Sequence, residues 1–347
     1  MRPASTPRHL DPGDTVAVVS PSWGGPGAIP RRYAMGKREL EQRFGFRVVE
    51  MPHALKDPEW VRAHPWERAE DLHVAFADPG IKAVFASIGG DDAIRVLPHL
   101  DSGVMAANPK VFLGYSDTAM IHLAAYGAGL QTFYGPSVMS GIAENGGMFA
   151  YAERWFRKVL MTPEPVGRLE PAEAWTEERL EWTDPLLENQ QRALRKSDGW
   201  VWLQGDVKAE GHLLGGCLDT LETAKGTPWW PPLEAWRGAI FFWETSEESP
   251  KPPLVERWLL NYAAQGILTV IAGMLIGRPR WYTLEERADL FRRLKDLLGR
   301  ELGRPDLPIV AEMDFGHTDP MFILPYGART IIDPRERVVS LPDPAVT

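Results

Sequence analysis

Short apolar runs rich in β-branched residues alternate with stretches of helical period in the first half of the chain. Such alternation predicts βαβ units, whose strands pair in a parallel sheet through right-handed crossovers. The pattern therefore predicts an α/β fold with a Rossmann-like N-terminal domain. The predicted strands cover residues 15–20, 46–50, 82–87, 111–113 and 132–134, and the predicted helices include residues 31–44 and 66–77.

Three loops that follow predicted strands are rich in Gly, Ser and Asp. They cover residues 20–27, 89–92 and 114–117. In open sheets of parallel strands, ligands bind beyond the carboxyl ends of the strands. We therefore expect the three loops to meet at one edge of the sheet and to form the binding site there.

The pattern changes between residues 163 and 205, where Glu, Trp, Arg and Pro dominate. Loops of this length in compact proteins are commonly lids or binding loops. We therefore predict three parts. They are an N-terminal α/β domain at residues 1–165, a Trp-rich connection and active-site loop at residues 166–205, and a C-terminal domain at residues 206–347.

The last part repeats the alternation of strands and helices on a shorter scale. A buried strand at residues 239–244 ends in a carboxylate, and an amphipathic helix is predicted at residues 284–298. We expect a smaller α/β domain with a mixed sheet. Its other predicted strands are 211–216, 268–276, 308–312, 321–324 and 328–332, and its other predicted helices are 218–224 and 253–265.

Composition narrows the classes of function. The formal net charge of −9 argues against a nucleic-acid partner, because neutralising phosphates requires clustered Lys and Arg. No apolar run reaches the length of a membrane span, and the N-terminus lacks the apolar core of a signal peptide. The single cysteine, Cys217, excludes an internal disulfide and a cysteine-based zinc site. We therefore predict a cytoplasmic protein with a small-molecule substrate and no membrane partner.

The clearest candidate for chemistry is a corner at Gly114-Tyr115-Ser116-Asp117. A tight turn from strand to helix exposes its side chain and leaves the next N–H groups without partners, so it suits a nucleophile with an oxyanion hole. The corner resembles a nucleophile elbow, although Thr118 stands where that motif has its second glycine. Alternatively, Ser116 or Asp117 is an ordinary helix N-cap.

Two further polar residues would complete a serine hydrolase. Glu244 ends a buried strand, and His317 lies in the segment Asp314-Phe315-Gly316-His317-Thr318-Asp319. Each has an ordinary structural explanation when taken singly. A serine hydrolase, however, requires a base that hydrogen-bonds the serine and a carboxylate that orients the base. Neighbouring Asp91 and Asp92 point in different directions and so do not suit a glycosidase pair, and no second histidine lies at metal-ligand spacing from His317.

Five short motifs follow one another in order across nearly the whole chain. They are Gly89-Gly90-Asp91-Asp92, Gly114-Tyr115-Ser116-Asp117, Gly215-Gly216, Phe242-Trp243-Glu244, and Gly316-His317 with Leu324-Pro325-Tyr326-Gly327. Their order and spacing resemble the LD-carboxypeptidase family of serine peptidases. The Trp-rich connection is most similar to the branch that contains the microcin C immunity peptidases.

The resemblance implies a role for each residue. Ser116 would be the nucleophile, His317 the general base and acid, and Glu244 the residue that orients His317. The backbone N–H groups of Gly90 and Asp117 would form the oxyanion hole. Neither a metal nor an organic cofactor is implied, and a homodimer is expected, as among relatives.

The resemblance also implies a substrate. The microcin-related branch cleaves an acyl bond to a nucleotide-like group, whereas other members release D-alanine from murein tetrapeptides. The first is our leading interpretation, with a small peptide or peptidyl-nucleotide as substrate. The expected substrate-binding residues are Asp91, Trp175, Trp182 and Cys217, the last in place of the usual Asn. A non-catalytic two-lobed binding protein is the rival from another class.

Overall fold

A computed structural model describes residues 5–347 and contains sixteen β-strands within that range. The strands define an α/β fold, as predicted. They are β1 Thr15–Val19, β2 Arg47–Glu50, β3 Ile81–Ala86, β4 Val111–Gly114, β5 Phe133–Tyr134, β6 Pro165–Arg168, β7 Ala174–Trp175, β8 Arg195–Lys196, β9 Val201–Gln204, β10 Ala209–Cys217, β11 Ile240–Glu244, β12 Gly273–Gly277, β13 Ile309–Met313, β14 Leu324–Pro325, β15 Arg329–Asp333 and β16 Val338–Pro344.

Twelve α-helices connect these strands in the same part of the chain, and the last continues into a π-helix at Lys295–Glu301. No helix among residues 5–347 combines the length and the apolar character needed to cross a bilayer. The α-helices are α1 Gly25–Ala28, α2 Pro30–Phe44, α3 Pro58–Ala63, α4 Pro65–Ala77, α5 Ser102–Ala107, α6 Ala119–Gly127, α7 Ala150–Leu160, α8 Leu218–Ala224, α9 Leu233–Trp236, α10 Pro252–Ala264, α11 Ile267–Val270 and α12 Leu284–Leu294.

The first sheet confirms the predicted parallel arrangement. Its strands lie in the order β14-β5-β4-β3-β1-β2, and β1 to β5 run parallel to one another. All four residues of β4 are buried, as expected for a strand covered on both faces. The antiparallel edge strand β14 comes from the far end of the chain. Residues predicted for the C-terminal domain therefore complete the N-terminal sheet.

The second sheet is mixed, as predicted, but it is the larger of the two within the described residues. It has eight strands in the order β6-β16-β15-β10-β11-β12-β13-β9, against six in the first sheet. Strands β10 to β13 are parallel. Four antiparallel strands extend this parallel centre at its two sides. The sheet exceeds its predicted size because β6 and β9 come from chain segments that precede the predicted C-terminal domain.

One predicted strand is partly helical. Residues 268–276 form an apolar run, but Gly266 adopts φ 79 and starts α11, which buries Ile267 and Leu268. The strand β12 begins only at Gly273. The expectation failed because a short apolar run can fill either a buried strand or a buried helical turn.

The Trp-rich connection is attached to the loop that follows β13. Within it, β7 and β8 form a two-stranded antiparallel ladder. Thr176 and Asp319 exchange two backbone hydrogen bonds, with N–O distances of 2.7 and 3.0 Å. The connection is therefore fixed beside the segment that contains His317.

Candidate active site

A sharp corner between β4 and α6 carries Ser116. Its backbone has φ 60, a left-handed conformation that residues other than glycine rarely adopt. Ser116 begins a short 3-10 helix at Ser116–Thr118 that leads into α6. Thr118 donates from Oγ1 to the carbonyl of Tyr115 at 2.8 Å and so closes the corner. The Ser116 hydroxyl faces a cavity between the two sheets.

His317 and Glu244 meet Ser116 through two successive hydrogen bonds. His317 Nε2 lies 3.1 Å from Ser116 Oγ, and His317 Nδ1 lies 2.6 Å from Glu244 Oε2. All three residues are buried. In this geometry a carboxylate can orient an imidazole toward a serine hydroxyl.

Strand ends and a glycine bring this group together. Glu244 is the last residue of β11, and His317 follows β13 on the other side of β12. Gly316 adopts φ +98, and a Cβ there would lie 2.6 Å from Glu244 Oε2. Only glycine therefore allows the His317 loop to pass so close to Glu244.

Tyr134, a residue that sequence reasoning did not select, joins the nucleophile to the carboxylate. Its hydroxyl accepts a hydrogen bond from the Ser116 backbone N–H at 3.1 Å and donates to Glu244 Oε1 at 2.6 Å. Tyr134 reaches both because it ends β5, directly beside Gly114 of β4. Both oxygens of Glu244 thus have a partner, one in His317 and one in Tyr134.

The Gly89–Gly90 turn forms the wall next to the nucleophile. A Cβ on Gly89 would lie 2.9 Å from Ser116 Cβ and 3.5 Å from the backbone nitrogen of Asp117. Gly90 adopts φ +144, which favours glycine. The turn and the Asp117 backbone therefore border one space beside Ser116, where an oxyanion hole is expected from the sequence.

The side chain of Asp117 braces this wall. It accepts hydrogen bonds from Ser22 Oγ and, at 2.7 Å, from the backbone N–H of Ala93. Burial raises the pKa of Asp117 despite these bonds. Two of the loops expected to meet, those after β1 and β4, are thus hydrogen-bonded to each other.

The cavity beside Ser116 has a volume of about 240 Å³. Both sheets and the Trp-rich connection contribute to its walls. Trp182 lies on this cavity with the Arg32 guanidinium 4.5 Å from its ring centre. The residues that line it are Trp23, Arg32, Ile88, Gly89, Gly90, Tyr115, Ser116, Ser140, Gly141, Glu144, Glu178, Arg179, Leu180, Trp182, Arg192, Glu247, Arg280, His317 and Asp319.

The other three residues expected to bind substrate lie outside this lining. Asp91 is exposed. Trp175 packs with Arg278, whose guanidinium lies 4.6 Å from its ring centre. The Cys217 side chain is fully buried, with its Sγ 3.9 Å from Asp219 Oδ2. Of the four residues, the structure therefore brings only Trp182 to the cavity.

Several charged residues of the cavity were not anticipated. Arg192 pairs with Glu144 and with Asp319, whose Oδ2 lies 2.7 Å from its Nη2. Arg280 lines the cavity with a buried Nε that has no hydrogen-bond partner in the described part of the chain. Nothing in their local sequence separates these arginines from ordinary surface residues. The sequence did offer a signal for Glu247 as a site residue, because it lies only three residues after the strand end at Glu244.

The imidazole of His317 contacts a second carboxylate. Its Nε2 lies 2.9 Å from Glu247 Oε2 as well as 3.1 Å from Ser116 Oγ. Burial lowers the pKa of His317, but Glu244 and Glu247 outweigh burial and raise the pKa to about 10. The hydrogen bond to His317 in turn lowers the pKa of Glu247 to about 2.

The same region offers one possible set of metal ligands. Within the described residues, atoms of Cys217, Glu244 and His317 lie within 4.8 Å of one another. Burial raises the pKa of the Cys217 thiol well above its usual range, which disfavours the thiolate that a metal requires. Glu244 and His317 are also hydrogen-bonded to each other. The set therefore fits a hydrogen-bonded triad better than a metal centre.

Two family models match the chain. The LD-carboxypeptidase N-terminal domain matches residues 16–135, and the LD-carboxypeptidase C-terminal domain matches residues 210–332. Microcin C7 self-immunity protein MccF from Escherichia coli is 28% identical over 331 residues, which cover 95% of this chain and 93% of that protein. Murein tetrapeptide carboxypeptidase from Pseudomonas aeruginosa is 27% identical over 270 residues, or 77% of each chain.

Solved structures resemble the whole fold. An MccF-like protein from Streptococcus pneumoniae, in complex with AMP, has a TM-score of 0.84 and 32% identity, and the match covers 94% of this chain and 98% of that one. MccF in complex with aspartyl sulfamoyl adenosine has a TM-score of 0.86 and 26% identity, with 99% and 100% covered.

Proposed function

This chain belongs to the LD-carboxypeptidase family, and from that membership we propose that it hydrolyses the acyl bond of an aminoacyl- or peptidyl-nucleotide. The observation that carries the proposal is the chain of hydrogen bonds from Glu244 through His317 to Ser116. The nucleotide class is supported by the AMP and aspartyl sulfamoyl adenosine bound to relatives of the same fold. The homodimer and the cytoplasmic location stay predictions.

In the proposed mechanism, Ser116 Oγ attacks the substrate carbonyl carbon while neutral His317 accepts the hydroxyl proton at Nε2. Glu244 holds the ring through Nδ1 and stabilises the imidazolium that forms. The N–H groups of Gly90 and Asp117 stabilise the oxyanion of the tetrahedral intermediate. His317 then protonates the leaving nitrogen, and water hydrolyses the acyl-enzyme on Ser116 by the reverse proton transfers.

Labelling with a serine-directed phosphonate tests this mechanism. We expect one adduct per chain, located on Ser116 by peptide mass spectrometry. Ser116→Ala should abolish both the adduct and turnover, whereas Ser140→Ala, which removes another hydroxyl from the cavity lining, should retain the adduct. An unlabelled wild-type protein that still consumed substrate would rule out the covalent mechanism. A protein that bound nucleotides without consuming them would favour the two-lobed binding protein.

Release of D-alanine from a murein tetrapeptide is the second candidate function. The similarity to murein tetrapeptide carboxypeptidase over 77% of the chain favours it. We propose to offer the wild-type protein a murein tetrapeptide and aspartyl sulfamoyl adenosine in parallel. Cleavage of the adenosine compound alone would support the nucleotide substrate, and release of D-alanine alone would exclude it.

A further inference from the structure

Glu247 and Ser116 compete for one atom of His317. Both Glu247 Oε2 and Ser116 Oγ lie within hydrogen-bonding distance of Nε2, at 2.9 and 3.1 Å. When Nε2 carries a proton and donates it to Glu247, it has no lone pair to accept the Ser116 proton. The base is therefore blocked in this arrangement, and catalysis requires Glu247 to release it.

Among the groups around the imidazole, Glu247 is the one that decides whether His317 Nε2 can act as the base. Glu244 contacts Nδ1, the Tyr115 ring lies 5.1 Å away, and Cys217 lies within 4.8 Å. Burial raises the pKa of both Tyr115 and Cys217, so both are neutral at physiological pH. Glu244 is needed to orient the ring. Glu247 is therefore the one charge that can leave without dismantling the triad.

Glu247 is also the more solvent-exposed of the two carboxylates on His317. Its side chain is 46% exposed, whereas that of Glu244 is fully buried. It lies in the loop between β11 and α10, its ion pair among residues 5–347 is with His317, and the nearby positive charge of Arg280 contributes to its lowered pKa. The other carboxylates on the cavity have partners already, because Glu144 and Asp319 bind Arg192 and Glu178 accepts from the Ala193 backbone. A cationic substrate group would therefore find Glu247 available.

We propose that Glu247 is a specificity-determining residue that binds the free α-ammonium group of an aminoacyl substrate and, in doing so, releases His317. This inference rests on the proposed function and narrows its substrate to acyl groups with an unblocked amine. The α-nitrogen lies about 2.5 Å from the carbonyl carbon that Ser116 attacks. A carboxylate beside Ser116 is thus within reach of it. As Glu247 leaves, the imidazolium loses its proton to water and becomes the neutral base.

The positive charge of Arg280 on the cavity suits the leaving-group end of such a substrate. Among residues 5–347 the buried Nε of Arg280 has no hydrogen-bond partner, although Asp319 and Glu247 act on its charge, and such a donor favours an anionic acceptor. A substrate with an ammonium group next to the scissile carbonyl and an anion on the leaving group matches both Glu247 and Arg280. A peptidyl substrate has an amide nitrogen at the first position and cannot form the ion pair with Glu247.

The test compares free and N-acetylated forms of one aminoacyl sulfamoyl adenosine. We expect the wild type to prefer the free amine by about tenfold or more in kcat/KM, the effect of one partly desolvated ion pair. Glu247→Gln should lose most of this preference and still cleave the N-acetylated form. Glu248→Gln, at the exposed neighbouring residue outside the cavity lining, should retain it. An equal preference in the wild type and Glu247→Gln would overturn the proposal.

Two further measurements do not depend on the nucleotide. One is the rate at which diphenyl α-aminoalkylphosphonates, with a free or an N-acylated amine, label Ser116. The wild type should react faster with the free amine, and Glu247→Gln should not. The other is an NMR titration of the His317 ring, where Glu247→Gln should lower the pKa of that ring.

The outcomes distinguish the two proposals. If neither adenosine compound is cleaved but labelling discriminates between the free and the acylated amine, the nucleotide assignment fails and the role of Glu247 stands. If labelling does not discriminate and the His317 pKa is unchanged, the role of Glu247 is refuted.

Discussion

At the residue scale, the Tyr134 hydroxyl ties the nucleophile to the carboxylate. Tyr134→Phe would leave Glu244 Oε1, which is fully buried, without its donor, and the Ser116 N–H without its acceptor. An unsatisfied buried charge costs more than a neutral one. We expect kcat to fall by about tenfold to a hundredfold, equivalent to roughly 1.4–3 kcal/mol, with a smaller change in KM.

A matched variant separates this effect from the loss of any buried hydroxyl. Tyr262 is also fully buried, but its hydroxyl has no hydrogen-bond partner within residues 5–347 and does not line the cavity. Tyr262→Phe should therefore leave kcat close to that of the wild type. Equal kcat values for the two variants would show that Tyr134 does not support the triad.

Sequence reasoning found candidate residues where the local pattern was unusual. Ser116 lies on a glycine corner, Glu244 ends an apolar strand, and His317 follows a glycine, so each stood out before the structure placed them together. Tyr134 did not, because a tyrosine at the end of a strand is ordinary. The role of Cys217 at the substrate stays a prediction, because its buried side chain lies within 4.8 Å of Glu244 and His317 but outside the cavity lining.

At the scale of elements, Arg192 fixes the Trp-rich connection over the cavity. Its guanidinium bridges Glu144, which is fully buried, and Asp319 from the loop after β13. Removing one partner of a buried ion pair is strongly destabilising, because the remaining charges lose their compensation. Arg192→Met should therefore loosen residues 179–199, raise KM and accelerate limited proteolysis in that segment by about tenfold or more.

Arg195 on the same connection provides the control. It pairs with Glu177, but its side chain is 64% exposed, and such exposed pairs contribute little. Arg195→Met should leave both KM and proteolysis nearly unchanged. If Arg192→Met were cut no faster than Arg195→Met, the ion pairs of Arg192 would not be what holds the connection in place.

Strands and helices were predictable where the local hydrophobic pattern fits only one kind of element. Most of the parallel strands, such as β3, β4 and β11, are short apolar runs between helices, and the α/β class follows from them. The antiparallel strands were harder, because β6, β9 and β16 contain exposed or polar residues and depend on pairing with distant segments. Their sequences carry no local signal for that pairing.

At the scale of the whole molecule, the two sheets share chain segments. β14, close to the C-terminus, pairs with β5 of the first sheet, whereas β6, which directly follows the N-terminal half, pairs with β16 of the second. The predicted division at residues 165 and 206 would therefore leave each sheet without an edge strand. The contact between Ser116 and His317 also crosses between the two parts.

This exchange of strands predicts cooperative unfolding. Neither sheet can lose its borrowed strand without exposing buried side chains, because Leu324 of β14 and Val166 of β6 are both buried. We expect tryptophan fluorescence and far-UV circular dichroism to report one coincident transition during equilibrium denaturation in urea. A chain of residues 1–165 alone should fail to give a sharp transition, since the pairing edge of β5 would be unprotected. Two separate transitions in the full chain, or a stably folded fragment, would mean that each sheet is stable without the strand it receives from the other half.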